Sequence, residues 1–176
     1  MASQENPRYV ALLPAMLQWI DRTLASCDRV RRSVRSFNFQ RLPHYFSETI
    51  LTDTGVVVVD RVPTPPLSAL GLIEFKSFEE QDLVGITFKD TYFLQTDCAY
   101  SESLHFHELV HVMQWKALGP EQFLLLYADG LARYGYDGSP LESMAFRRQA
   151  QFDSGRGAYN VDVEVTQETL TLASLG

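Results

Sequence analysis

SESLHFHELVHVMQWKALGP, residues 101–120, holds the densest structural information in the chain. It opens on two serines, Ser101 and Ser103, suited to capping a helix N-terminus, and closes on Gly119 and Pro120, which end a helix. Between them Leu104, His107, His111 and Leu118 fall near one stripe. The spacing predicts a single helix over about 102–118. Three of the four histidines of the 176-residue chain lie in this segment.

HELVH within it is an HExxH pattern. His107 and His111 are four residues apart, so on a helix their rings project from one face, one turn above the other, close enough to share an ion. Glu108, next to the first ring, can reach a water bound to that ion. Neutral imidazoles suit zinc, and two nitrogens with one carboxylate leave the open position a catalytic site needs. Chance scatter would give an HExxH in on the order of one such chain in two hundred, so the pattern is specific but not decisive. His105, two residues before His107, points away from that face and stays outside the metal set. Met113 and Trp115 are assigned to packing.

A third ligand must come from elsewhere. No histidine follows His111, which leaves Glu121, Asp129, Asp137, Glu142 and Asp153. Glu142 stands out because it opens a new helix after a helix from Pro120 to about Arg133 and the break GYDGSP. Two antiparallel connections return that helix to the first, and Ala145, one turn on, is small enough to let the two approach. A competing use is a capping box, in which Glu142 folds back onto the Ser139 backbone. Glu142 cannot easily do both, and the ligand role is favoured because two histidines without a third protein ligand would hold zinc poorly.

Upstream, Leu13, Met16, Leu17, Ile20, Leu24 and Cys27 recur at helical spacing, predicting an amphipathic helix from about 12 to 32 with Pro14 in its first turn. Val56 to Val59 reads as strand. VPTPPLSALGL, with its clustered prolines, reads as an extended connection. LVGITFKDTYFLQ contains two strand-like pieces around Lys89 and Asp90, a hairpin or bent edge strand. The expected class is α+β, one domain over 1–176: a helical extension (1–40), a core (41–150) and a tail (151–176). In the tail, Val161, Val163 and Val165 alternate like a strand that either completes the sheet or lies in a cleft.

The net charge is −7, unevenly spread, with seven arginines against three acids in residues 1–41 and a strongly acidic remainder. That balance excludes a general affinity for nucleic acid, which needs a broad cationic surface. The cluster Arg29, Arg31, Arg32, Arg35 reads as a solvated face. Cys27 and Cys98 form no metal-knuckle or disulfide pattern, so a reducing, cytoplasmic setting is expected, with Cys98 a buried free thiol rather than a ligand. The apolar run Val10 to Leu17 is too short for a membrane span.

The HELVH helix, the preceding GITFKDTYFLQ and the later GYDGSPLESMA resemble the gluzincins, zinc metallopeptidases with HExxH on one helix and a glutamate on the next, and especially their small single-domain members, the minigluzincins. The likeness covers about residues 55–150. It implies a zincin-like domain, one Zn2+ per chain and a peptide or protein substrate. His107, His111 and Glu142 match the ligands, and Glu108 matches the general base. Tyr136 matches a tyrosine that donates to the transition-state oxygen, with Tyr134 and Tyr127 as rivals. Thr91, Tyr92, Phe93 and Leu94 match the edge strand that pairs with an extended substrate. One departure is Phe146, where many larger relatives have an aspartate that orients a ligand histidine. The chain is also too short for the second domain that walls the cleft in bigger relatives. A zinc-stabilised binding module, catalytically weak or latent, is therefore the alternative to a peptidase.

Overall fold

The computed structural model describes residues 6–155 and 157–175. It is α+β: seven helices and a four-stranded mixed sheet among the described residues. The expected central helix, α4, runs Glu102–Leu118, with the Ser101 hydroxyl accepting from the Leu104 amide and Gly119 as its C-cap. Residues 105–115 are buried without a break, polar and apolar alike. A helix buried all round is one packed on every side.

On one side of α4 lies the sheet, ordered β1-β2-β4-β3 from Arg32–Ser33 (β1), Gly55–Val59 (β2), Gly85–Phe88 (β3) and Thr91–Gln95 (β4). β2 and β4 are parallel, with Val57 opposite Phe93, while β3 folds back antiparallel on β4 through the turn at Lys89 and Asp90. Lys89 takes a positive φ of 57° in that turn. This topology corrects one expectation. Thr91, Tyr92, Phe93 and Leu94 form an interior strand, buried and paired on both sides. The crossover from β2 seats β4 beside it, and the hairpin throws β3 to the outside, so the edge strand beside α4 is β3.

On the other side of α4 pack α6 (Pro140–Asp153) and α7 (Val161–Leu175). The tail is thus a helix, not a strand. Its buried residues Val161, Val165 and Thr169 step by four, and Val163 between them is 48% exposed. That period suits a helix face rather than a pleat. Arg148 of α6 clamps it, donating to Glu164 at 2.7 Å and Glu168 at 2.8 Å.

Helix α1 spans Pro7–Cys27, starting earlier and ending sooner than expected. The start is set by Asn6, whose side chain accepts from the Arg8 amide, and by Pro7 at the first helical position. Pro14 therefore lies inside the helix. Two short helices are α2 (Glu48–Asp53), which packs beside β1, and α3 (Lys76–Glu79), in the connection between β2 and β3. α5 (Pro120–Gly138) follows α4 directly and breaks at Gly135, whose φ of 71° and ψ of −178° are open to glycine. The arginine cluster is largely committed: Arg31 donates to Thr91 and the Asp53 carbonyl, Arg35 to Glu48, and Arg32 lies over the Phe37 ring. Among the described residues no helix is long and apolar enough to cross a membrane.

Candidate metal centre

His107 and His111 project from one face of α4, as their spacing requires, with ring centroids 4.8 Å apart. α6 crosses opposite them, and the buried Ala145 allows the close approach. Glu142, in its first turn, points at both rings: Oε2 lies 3.4 Å from His107 Nε2 and 3.3 Å from His111 Nε2, and the two Nε2 atoms are 3.1 Å apart. All three residues are buried. Among the described residues this is the group whose donors could hold a metal ion, and neither cysteine belongs to it. The competing capping box does not form. Ser139 makes no side-chain cap, and its hydroxyl is buried without a partner.

Two hydrogen-bond chains fix which nitrogen of each ring carries its proton. Gln114 Nε2 donates to the Leu141 carbonyl at 3.0 Å, so its Oε1, 2.8 Å from His111 Nδ1, accepts from that ring. The Ser103 hydroxyl donates to Asp153 at 2.8 Å and accepts from Gln149 Nε2 at 2.9 Å, so Gln149 Oε1 accepts from His107 Nδ1 at 3.0 Å. With both Nδ1 protons committed, both Nε2 atoms present lone pairs. Glu142 Oε2 is itself buried without a hydrogen-bond donor. Three acceptor atoms thus face one another, an arrangement that could hold a metal ion between them.

Electrostatics agree. Burial by itself pulls the His111 imidazole down, but the Glu142 carboxylate more than offsets this and holds its pKa up at about 9. Burial likewise pushes the Glu142 carboxyl up, and the two imidazoles outweigh it, keeping the acid well below the usual carboxylate range. Without a metal, a proton takes the cation's place.

Glu108 is buried beside this group. Its Oε2 accepts from the Thr87 hydroxyl at 2.6 Å, and burial raises its pKa although the histidines and Thr87 oppose the rise. β3 passes so close that a Cβ at Gly85 would lie 2.3 Å from Glu108 Oε1. Glycine at 85 is what leaves the carboxylate room.

Of the three tyrosines, Tyr127 donates to Glu142 Oε1 at 2.6 Å. Tyr136, just after the Gly135 break, also bonds toward Glu142, and burial raises both hydroxyls far enough to keep them protonated. Tyr134 is 60% exposed and takes no part. Phe146 packs its ring against His107, centroids 4.7 Å apart, while the orienting role falls to Gln149. His105 points the other way: Nε2 donates to the Ala99 carbonyl at 2.9 Å and Nδ1 accepts from the Tyr92 hydroxyl at 2.5 Å. Burial holds it neutral, with its pKa down at about 4.

Gln114, Gln149, Thr87 and Gly85 are positions in contact with the cluster and Glu108 that sequence reading missed. Gln114, three residues after His111, carried the one usable signal, since on a helix it shares that face.

A cavity of about 100 Å³ opens beside the cluster, reaching Glu108, His111 and Glu142 at its polar end. α7 contributes nothing to its lining. Comparison of the chain with protein-family models, with curated proteins and with solved structures finds no match.

Proposed function

We propose that the chain is a zinc-dependent hydrolase of peptide bonds, of the gluzincin type. The observation that carries this is the triangle of lone pairs, 3.1, 3.3 and 3.4 Å on its edges, beside a buried glutamate. A tetrahedral ion with bonds of about 2.0–2.1 Å spaces its ligand atoms about 3.3–3.4 Å apart, and two histidines with a glutamate are a donor set typical of catalytic zinc. The residues fit the ion.

Bound between His107, His111 and Glu142, zinc would supply a Lewis acid and acidify a water in its open position. Glu108, its carboxylate steadied by Thr87, is placed to take a proton from the attacking water and to deliver it to the leaving amine. Its raised pKa suits both directions of transfer. Tyr127 fixes the Glu142 carboxylate by holding Oε1, leaving Oε2 for the ion. Tyr136, protonated and at the cavity wall, is the donor assigned to the oxygen that becomes negative in the transition state.

The extended-strand mode of substrate binding moves from β4 to β3. The Thr87 carbonyl on that strand already accepts from Trp115 Nε1 at 3.2 Å, which leaves less free backbone for pairing.

The test is zinc content with cleavage of a mixed peptide library, for the parent and Glu108→Gln. The proposal expects equal zinc and at least about a hundredfold slower cleavage in the variant. Equal cleavage would remove Glu108 as base, and zinc binding without cleavage in the parent would favour a metal-stabilised binding module.

A further inference from the structure

The cavity beside the cluster is walled by β3, by α5, by the connection from Pro65 to Leu83 and by α1, the helix outside the region of resemblance. Tyr9, Leu13 and Met16 of α1 close one side, and Ala128 and Leu131 of α5 another. Away from the polar end its described walls are apolar, and no lysine or arginine lines it. The ionisable groups there are the acids Glu108 and Glu142, His111 and three tyrosines.

Two consequences follow. A substrate carboxylate seated in the apolar part of the cavity would be buried with no lysine or arginine to pair with, at a cost that excludes it. And an apolar group of limited size gains by entering. A cavity of about 150 Å³ takes a benzene molecule, so about 100 Å³ suits a compact four-carbon group.

We propose that the site takes small neutral amides that carry one compact apolar group beside the cleaved bond, the group seated between α1, α5 and β3. The reacting head of the ligand rests on the zinc hydrolase reading; the seat for its apolar group does not. α1 is then a specificity wall rather than an appendage.

The zinc-loaded chain is titrated calorimetrically with acetohydroxamate, 3-methylbutanohydroxamate and succinic monohydroxamate, which share a zinc-binding head. Burial of three further carbons is worth roughly fourfold each, so the branched ligand should bind about sixtyfold tighter than the methyl one, and the carboxylate no tighter. Ala128→Phe, with parental zinc content, should fill the cavity and abolish the preference. Met16→Ala should enlarge it and move the preference to a longer alkyl group. Equal affinity for methyl and branched ligands in a zinc-loaded chain overturns the proposal while leaving the metal site standing. A chain that takes up no zinc sinks the hydrolase reading instead. The seat is then tested on metal-free protein by NMR: 3-methylbutanamide should shift β3 and α5 amides where acetamide does not, and identical spectra overturn the seat as well.

Discussion

Gly85→Ala tests the placement of Glu108 without substituting Glu108, His107, His111 or Glu142. The new Cβ would meet Glu108 Oε1 at 2.3 Å, its carboxyl carbon at 3.0 Å and a Leu94 methyl at 3.1 Å. Ordinary contact with that oxygen needs a retreat of about 1 Å. Glu108 is buried and its other oxygen is tied to Thr87 at 2.6 Å, so it cannot swing aside without stretching that bond. Overpacking of this kind costs about 1–3 kcal/mol. For a domain of this size that lowers Tm by roughly 2–10 °C. A displacement of about 1 Å at a reacting group costs about a hundredfold in rate. His107, His111 and Glu142 are untouched, so zinc content should stay at the parental value. Thermal unfolding, zinc analysis and peptide cleavage are read together. Parental Tm and parental cleavage in Gly85→Ala would refute the position assigned to Glu108.

Further outcomes concern the cluster and its supports. Gln114→Ala frees the His111 ring and should weaken zinc binding by about 10–100-fold, read by competition with a chelating dye; unchanged affinity would deny Gln114 its orienting role. In the metal-free chain the His111 pKa, raised from 6.5 to about 9, contributes stability fully present below pH 6.5 and lost as pH rises through 9. Zinc displaces that proton, so its affinity should climb about tenfold per pH unit between pH 7 and 9, measured calorimetrically; a flat or falling profile contradicts the pairing with Glu142. His105→Leu strands the buried Tyr92 hydroxyl and should cost about 1–3 kcal/mol in chemical unfolding, with zinc affinity unchanged; loss of zinc would place His105 in the metal set after all.

The legible part of the molecule was the part set by local rules. α4 has the bounds its caps imply, because Ser101 and Gly119 act on residues three or four positions away. The break before Glu142 was legible for the same reason, since Gly135 needs only its own φ. The strand order was not legible. Whether β3 or β4 lies at the edge depends on the crossover from β2, and both hairpin strands carry the same residue types. The tail misled because Val161, Val163 and Val165 fit a period of two over five residues. Thr169, four beyond Val165, restores the helical period that packing on α4 selects. The capping box at Glu142 was ruled out by tertiary structure, because the approach of α6 to α4 turns that side chain toward His107 and His111 and away from Ser139.

Most direct of all is a zinc titration of the metal-free chain beside Glu142→Ala. One ion per parent chain, with affinity reduced at least about a hundredfold in the variant, is the expected result, since the change removes one of the three residues proposed to hold the ion. A parent that takes up no stoichiometric zinc, or a variant that binds it as tightly as the parent, would contradict the assignment of His107, His111 and Glu142 to a single metal site.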